Sequence, residues 1–509
     1  MKDSKLKDKN IFFGVGDIED SKKSIYVKTV VFIEDSIIID LDFDYNCPPS
    51  FSPILSKICE KIKDFAQKLN LLDTVKISKK LIIKELIKEL RSKKVEEIIP
   101  AEERKFIDLQ VEKSKITDLP VEERSIINLP IEAFHRAVGD YISRNEIKSM
   151  FPKNEKKVLV AMSGGVDSSV TALLLAKQGY EVIGSTMRLW EFPIYKSYLK
   201  SCCSIIGIWN ARDVCKKLNF AHFTLDLRNN FKQKVVDYFC NQYLLGKTPN
   251  PCIMCNKYIK FGAFLDIAKK LGAARIATGH YVSIGKDSDS GKFIIKRAED
   301  KNKDQSYVFW KLTQEQLSKI ITPLGNYKKS KIRDIAQKNN LKIARTAESQ
   351  DVCFIPDGNY GNFIEKNLNI TIEPGPIVDL NNNILGQHKG FPFYTIGQRK
   401  GLGISYNKPL YVKKIIPDTN TLIVTNSKQL MGKELTASDI NFIYLNKLES
   451  EIKVKAKIRY RDKLEPALVI PISEDRVKVI FDKPKWAITP GQSVVFYEDD
   501  ILVGGGIID

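Results

Sequence analysis

The stretch VLVAMSGGVDSS, Val158–Ser169, constrains the fold of this chain more than any other. A short apolar run ends in Ser-Gly-Gly and leads straight into SSVTALLLAKQG, whose apolar spacing is helical and which Gly179 closes. The reading is a buried strand, a tight turn and a helix start. The glycines permit positive φ and close approach of a ligand to the backbone. The unsatisfied N–H groups and positive end of the helix that follows suit a phosphate. The Lys-Ser/Thr pair of the kinase and GTPase loop is missing. Asp167, Ser168 and Ser169 stand there instead, a set suited to Mg²⁺-assisted binding of pyrophosphate. A plain glycine-rich turn would not require six specified positions between a strand and a helix.

The same alternation continues downstream. YEVIGSTMRLW reads as a strand, the region of NARDVCKKLN as a helix, FAHFTLDL as a strand, FKQKVVDYFCNQYLL as a helix and ARIATG as a strand. Such alternation predicts an α/β fold, a parallel sheet with helices on both faces. After about Pro356 the pattern turns all-strand with Gly, Pro and Asn turns, and the last stretch reads as a small β-barrel. The first 150 residues have a different texture. Ser24–Tyr45 alternates as a β-hairpin around an acidic turn, and Ser50–Leu69 has helical spacing with Ile54, Ile58, Ile62 and Phe65 on one face. AEERKFIDLQ, VEKSKITDLP and VEERSIINLP then repeat with period ten, too short for a helical solenoid unit, and read as an extended or looped insertion. A helix through IEAFHRAVGDYISRNEI and a polar linker, Phe151–Lys157, close the module. The expected domains are 1–150 (an α+β accessory module), 158–356 (catalytic), 357–430 (a central β domain) and 431–509 (the barrel).

Nine cysteines in 509 residues are no disulfide framework. The polar start MKDSKLKDKN has no signal-peptide core behind it, and no apolar run approaches a membrane span. A cytoplasmic protein with reduced thiols and no membrane partner is the expectation. Residues 1–150 hold 27 Lys+Arg against 27 Asp+Glu, so the whole net charge of +19 falls in 151–509. A basic excess confined to one part points to a polyanion, with nucleic acid the usual partner.

The loop SGGVDSS resembles that of ATP pyrophosphatases, which cleave ATP between the α and β phosphates and adenylate a substrate oxygen. From Val158 to Asp509 the chain resembles one branch, the tRNA-specific 2-thiouridylase (MnmA) family, through GKTPNPCIMCNKYIKF, ATGHY, KNKDQSYVFW, ESQDVCFI, GQHKGFPFYTIGQRKGLGI and PGQSVVFY, in order. The resemblance implies ATP and Mg²⁺, with ATP bound by Ala161, Met162, Ser163, Gly164, Gly165, Val166, Asp167, Ser168 and Ser169, and with Met187 and Gly279 lining the adenosine pocket. It implies adenylation of O2 of the wobble uridine of tRNA and its replacement by sulfur, giving 2-thiouridine, AMP and pyrophosphate. Cys353 would carry a persulfide from a sulfur donor or cysteine desulfurase relay. Cys255 would be the partner thiol that releases the sulfur, leaving a Cys255–Cys353 disulfide. Lys257 and Lys260 are close to Cys255 in sequence, and basic surroundings favour thiolates. RNA rather than DNA is the partner so implied. Asn250, Pro251, Cys252, His280, Lys303, Asp304, Gln305, Arg459, Tyr460 and Gln492 match positions near the tRNA or its target base.

Many members of that family have Asp where this chain has Cys252. Cys252, Cys255 and Cys353 could therefore hold a [4Fe–4S] cluster with one iron open to bind sulfide, and no persulfide would then be needed. Zinc is disfavoured, because a second Cys pair or His pair at suitable spacing is absent. The persulfide and cluster routes both stand at this point. Cys202 and Cys203 are adjacent and ill placed to chelate one ion, and Cys215 and Cys240 fall on helix faces as core residues. The first 150 residues weakly resemble iron–sulfur scaffold proteins of the NifU/IscU type, with Cys47 matching a single ligand, and suggest a degenerate docking module for a sulfur or cluster donor. Other readings of the chain are a different adenylating pyrophosphatase, or an iron–sulfur carrier whose tRNA domain is vestigial.

Overall fold

The computed structural model describes residues 12–20, 25–34, 37–46, 52–67, 121–143, 153–190, 205–341, 343, 352–355 and 357–509. They fall into two compact units. The first takes Met1–Arg228, Asp266–Ala277 and Ala336–Glu348, and the second takes Asn229–Leu265, Thr278–Ile335 and Ser349–Asp509.

The first unit begins with three antiparallel strands, β1 (Phe12–Asp20), β2 (Ile25–Glu34) and β3 (Ile37–Asn46), in that order. The hairpin expected from the sequence is β2–β3; β1 adds a third strand that alternation alone did not reveal. The helix Ser52–Ala66 buries Leu55, Ile58, Cys59, Ile62 and Ala66, so Ile58 and Ile62 of the expected face are in the core while Phe65 is half-buried. The helix Val121–Ser143 takes in the third decapeptide, with Pro130 inside it, so that repeat is helical rather than looped. The first two decapeptides lie outside the described residues. Ile18, Val27, Leu55, Leu129 and Ala133 make a core on which Ile206 and Trp209 pack.

Four parallel strands follow in the order β7-β4-β5-β6: β4 (Asn154–Ala161), β5 (Glu181–Arg188), β6 (Ala221–Asp226) and β7 (Ala273–Ala277). Val158, Leu159 and Val160 are all fully buried, as a strand covered on both faces requires. The stretch read as a linker already pairs at Asn154, whose amide donates to Gly272 O at 2.9 Å. The helices Val166–Lys177 and Ile205–Lys217 belong to this layer. The accessory segment is packed hard onto it. A Cβ on Gly139, in the helix Val121–Ser143, would lie 1.6 Å from the Thr224 carbonyl oxygen of β6, so that helix crosses the strand at backbone contact.

The second unit carries helical runs at Lys232–Leu244 and from Pro251, the hairpin β8 (Val282–Lys286) and β9 (Phe293–Arg297), and the short β10 (Ile320–Ile321). The region after Pro356 is not all-strand, because it opens with the helix Tyr360–Leu368. Asn359 caps that helix by accepting from Asn362 N at 3.3 Å, and Asn369 closes it at φ +53. A four-stranded sheet comes next, from β11 (Gly375–Val378), β12 (Ile384–His388), β13 (Tyr411–Ile416) and β14 (Thr421–Thr425) in the order β12-β11-β14-β13. The last six strands are β15 (Met431–Phe442), β16 (Ile452–Lys457), β17 (Glu465–Ser473), β18 (Arg476–Trp486), β19 (Ser493–Glu498) and β20 (Ile501–Ile508). They close into a barrel through β15–β20 pairing, Ala437 opposite Ile508, around Ala456, Val469, Val479, Phe481, Val494 and Phe496. No helix among the described residues is long and apolar enough to cross a membrane.

Candidate functional site

The glycine-rich loop leaves the C-terminal edge of β4, where open α/β sheets place their ligands. Its start is fastened to β5: Met162 N donates to Ser185 O at 2.7 Å, and Thr186 Oγ1 donates to Met162 O at 2.8 Å. Gly164 sits at φ +74 and is buried. Gly165 is the N-cap of the helix Val166–Lys177, so no side chain caps its first amides. Ser168 Oγ lies 3.2 Å from Ser163 N and donates to Gly165 O at 3.2 Å, and Ser169 Oγ donates to the same carbonyl at 2.9 Å. The two serines thus shape the loop from inside, while Ser163 is exposed and Asp167 half-buried. Ala161 ends the strand, Val166 is buried behind the loop, and Met187 is half-buried near the end of β5.

Beneath this loop lies a polar pair that the sequence did not flag. Thr186 Oγ1 lies 3.0 Å from His222 Nε2. The hydroxyl spends its one proton on Met162 O, so His222 donates from Nε2 and Nδ1 is the unprotonated nitrogen. Burial, helped by the Arg212 charge, holds His222 well below its ordinary pKa and therefore neutral.

In the second unit Asn250 caps the helix that carries the cysteine pair. Its side chain accepts from Cys252 N at 3.1 Å, and Pro251 takes the first helical position. Cys252 is exposed and Cys255 buried. From Cys255 to Ala263 the helix is wound as a π-helix, an arrangement frequent at functional sites. Gln316 serves this segment by donating to Lys257 O at 3.1 Å and Phe261 O at 2.8 Å, while Asn256 Nδ2 donates to Val308 O at 2.9 Å. Replacing Gln316 by Leu removes these two hydrogen bonds and a third, which its Oε1 accepts from Thr313 N at 3.0 Å, and should cost about 3 kcal/mol. A urea midpoint no lower than that of the wild type would refute this role.

Gln492, at the start of the barrel's last hairpin, donates to Thr248 O at 2.7 Å, and Thr248 N donates to Pro490 O at 2.8 Å. The barrel thereby holds the approach to Asn250. Gly279 and His280 come next in the chain after Thr278. His280 Nδ1 is 2.8 Å from Thr278 Oγ1, and Nε2 is 3.3 Å from Lys260 Nζ. The rings of Phe261 and Phe309 flank it. Burial first and the Lys260 charge second keep His280 neutral, well below its usual pKa. It is a hydrogen-bonding group rather than a proton donor at neutral pH. Gln305 follows the same segment, with its Oε1 accepting from Tyr281 N at 2.9 Å.

Asp304 is buried and accepts from Ala298 N at 3.1 Å, Ser306 N at 3.2 Å and Ser306 Oγ at 3.0 Å, beside Lys303, which is half-buried. Arg459 donates to Trp486 O at 2.8 Å and to Ala487 O, and its guanidinium lies 5.4 Å from the Trp486 ring. Tyr460, beside it in sequence, stays 37% exposed, meets Tyr307 edge-on and has Lys457 Nζ 5.9 Å from its ring centroid. Cys353 is half-buried, and the next residue pins it: Phe354 packs against Phe231, Phe239 and Phe363 at 5.5, 5.4 and 5.3 Å. That anchor escaped the sequence reading, although the bulky neighbour of the cysteine in QDVCFI was its signal.

Cys215 and Cys240 are buried thiols. Burial pushes both up, Cys240 to about 11, so neither offers a thiolate near neutrality. Cys47, Cys202 and Cys203 lie outside the described residues. Among the described residues no three of His, Cys, Asp and Glu converge to hold a metal ion.

Three family descriptions match in succession: a tRNA methyl transferase HUP domain over 156–357, a tRNA methyl transferase PRC-barrel domain over 361–426, and an aminomethyltransferase beta-barrel domain over 432–508. The chain is 51% identical over 355 residues to the tRNA-specific 2-thiouridylase MnmA 1 of Caldanaerobacter subterraneus subsp. tengcongensis, covering 69% of this chain and 98% of that protein. It is 48% identical over 356 residues to the tRNA-specific 2-thiouridylase MnmA of Carboxydothermus hydrogenoformans, and 47% over 354 to that of Clostridioides difficile, in each case covering 70% of this chain and 98% of the relative.

Proposed function

The chain belongs to the tRNA-specific 2-thiouridylase family, and from that premise we infer that it is an ATP-dependent tRNA-uridine 2-sulfurtransferase working through a persulfide. The observation that carries the reading is identity of about half across nearly the whole length of such enzymes, joined to a nucleotide loop with an uncapped helix start.

In this reading the loop Ser163–Ser169 takes the phosphates of ATP through its backbone amides. Asp167, with the serines beside it, suits Mg²⁺, which binds through one or two carboxylates together with substrate phosphates. When bound, that ion neutralises charge on the pyrophosphate that leaves. O2 of the wobble uridine attacks the α phosphorus, pyrophosphate departs, and C2 becomes electrophilic. The terminal sulfur of a Cys353 persulfide then attacks C2 and AMP leaves with the former O2. Cys255 attacks the Sγ of Cys353, the sulfur–sulfur bond to the substrate breaks, and 2-thiouridine is released with a Cys255–Cys353 disulfide behind it. A dithiol reductant restores both thiols, and a persulfide donor reloads Cys353. His280, being neutral, serves this chemistry by hydrogen bonding alone. The exposed ring of Tyr460 and the basic carboxy-terminal two-thirds suit the tRNA.

The experiment is single-turnover thiolation of unmodified tRNA by the anaerobically purified chain with ATP and a persulfide donor, with 2-thiouridine read by nucleoside mass spectrometry. Cys252→Ser should keep activity within about threefold, since the residue is outside the relay. Iron bound in the wild type together with activity abolished in Cys252→Ser would instead establish the cluster route, and absence of any 2-thiouridine would refute the activity.

A further inference from the structure

The helix Val121–Ser143 carries a carboxylate into the interior of the first unit. Glu132 is fully buried. Its Oε1 accepts from Arg136 Nε at 3.2 Å, and its Oε2 lies 3.0 Å from Arg212 Nη1. Arg136 is on the same helix and donates from Nη1 to Asp17 O of β1 at 2.6 Å. Arg212 is on Ile205–Lys217 and donates from Nη2 to Thr224 Oγ1 of β6 at 3.3 Å. Buried ion pairs add little stability over apolar residues, but removing one partner strands the other.

What lies beyond Arg212 gives this pair a consequence. Thr224 on β6 stands directly opposite Thr186 on β5. Two residues before Thr224, His222 contacts the Thr186 hydroxyl, and that hydroxyl holds Met162 O at the root of the nucleotide loop. Nδ1 of His222 and Nε of Arg212 are both buried without a hydrogen-bond partner. The order of this network therefore depends on the position of the Arg212 charge. The matched family segments begin at residue 156, so the carboxylate that fixes Arg212 comes from a part of the chain outside them.

We propose that Glu132 is a positioning residue for the nucleotide loop: the amino-terminal segment supplies the counter-charge that holds Arg212 against β6 and, through Thr224, His222 and Thr186, sets the Met162 carbonyl. The accessory segment is then an allosteric brace of the ATP site as well as a covering layer. This rests on Ser163–Ser169 being the ATP loop.

The test uses the full chain. ATP affinity is read by equilibrium binding, KM for ATP and kcat by tRNA thiolation, and folding by thermal melting. Glu132→Gln should raise Kd and KM for ATP about tenfold while kcat stays within about threefold, in line with the coupling such packed networks carry. Glu132→Asp, which keeps the charge, should restore most of the affinity. Thr186→Val, which buries no charge and removes the hydroxyl on Met162, should reproduce the rise. A folded Glu132→Gln with unchanged KM for ATP, or a Glu132→Asp no better than Gln, overturns the proposal. If Glu132→Gln does not fold, an unchanged KM in Thr186→Val overturns it, and a raised one supports it. A wild type that binds no ATP refutes the loop assignment itself, an outcome distinct from wild-type binding with insensitive variants.

Discussion

Cys353→Ser should lower 2-thiouridine formation by at least about 10³-fold while ATP-dependent release of pyrophosphate continues. A serine hydroxyl cannot carry a persulfide, so the sulfur-delivering step loses its nucleophile outright rather than being weakened. The adenylation half-reaction uses no thiol, which is why the two readouts should separate. The variant should fold, because Cys353 is half-buried and the segment is held by Phe354 in its ring cluster with Phe231, Phe239 and Phe363. Cys255→Ser should fail differently. Its persulfide still attacks C2, but the resulting Cys353–sulfur–C2 link has no partner thiol to break it, and a tRNA adduct cleavable by thiol reductants should accumulate. The measurement is mass spectrometry of nucleosides beside a denaturing gel of the tRNA. Full thiolation by Cys353→Ser would remove the persulfide from the mechanism.

The residues that were legible in the sequence are those whose function lies in local chemistry. Gly164, Gly165 and Asp167 suggest a phosphate loop from sequence alone because a glycine turn between a strand and a helix leaves helix-start amides open to an anion, and Gly165 stands at that helix start with no side-chain cap. The strand order was readable only as a class: alternation implies parallel pairing, and β4–β7 obey it. Other features were hidden for physical reasons. The π-wound turn from Cys255 depends on Gln316, some sixty residues away in the chain, which no periodicity contains. The third decapeptide was read as looped because a period of ten is too short for a helical solenoid unit, yet burial of Leu129, Ile131, Ala133 and Phe134 carries a helix through it despite Pro130. Nothing in the local sequence marks Glu132 as buried; its burial goes with the packing of Gly139 on Thr224. The terminal barrel was legible as a class, whereas the β15–β20 pairing that closes it joins strands distant in the chain.

Gly164→Ala should reduce ATP affinity at least about 100-fold and thiolation with it, a larger loss than the backbone strain alone explains. At φ +74 an alanine costs roughly 1–2 kcal/mol. The decisive factor is contact, because a Cβ there would lie 2.1 Å from Gly207 O and 2.7 Å from Gly207 Cα. Both are backbone atoms, in the first turn of the helix Ile205–Lys217, so no rotamer change can relieve the overlap. Either that helix or the loop must move, and the loop, with Gly165 next to the substituted position, gives way first. Its amides then no longer converge on one phosphate position. Gly179 supplies the control. It has φ +84, yet nothing lies within 4 Å of its Cβ position. Gly179→Ala should therefore cost about 1 kcal/mol in stability and leave ATP affinity unchanged. Equilibrium binding of ATP to the two variants separates strain from contact. Equal affinity in Gly164→Ala and wild type would mean that the nucleotide does not sit on Ser163–Ser169, whatever the sequence of that loop suggests.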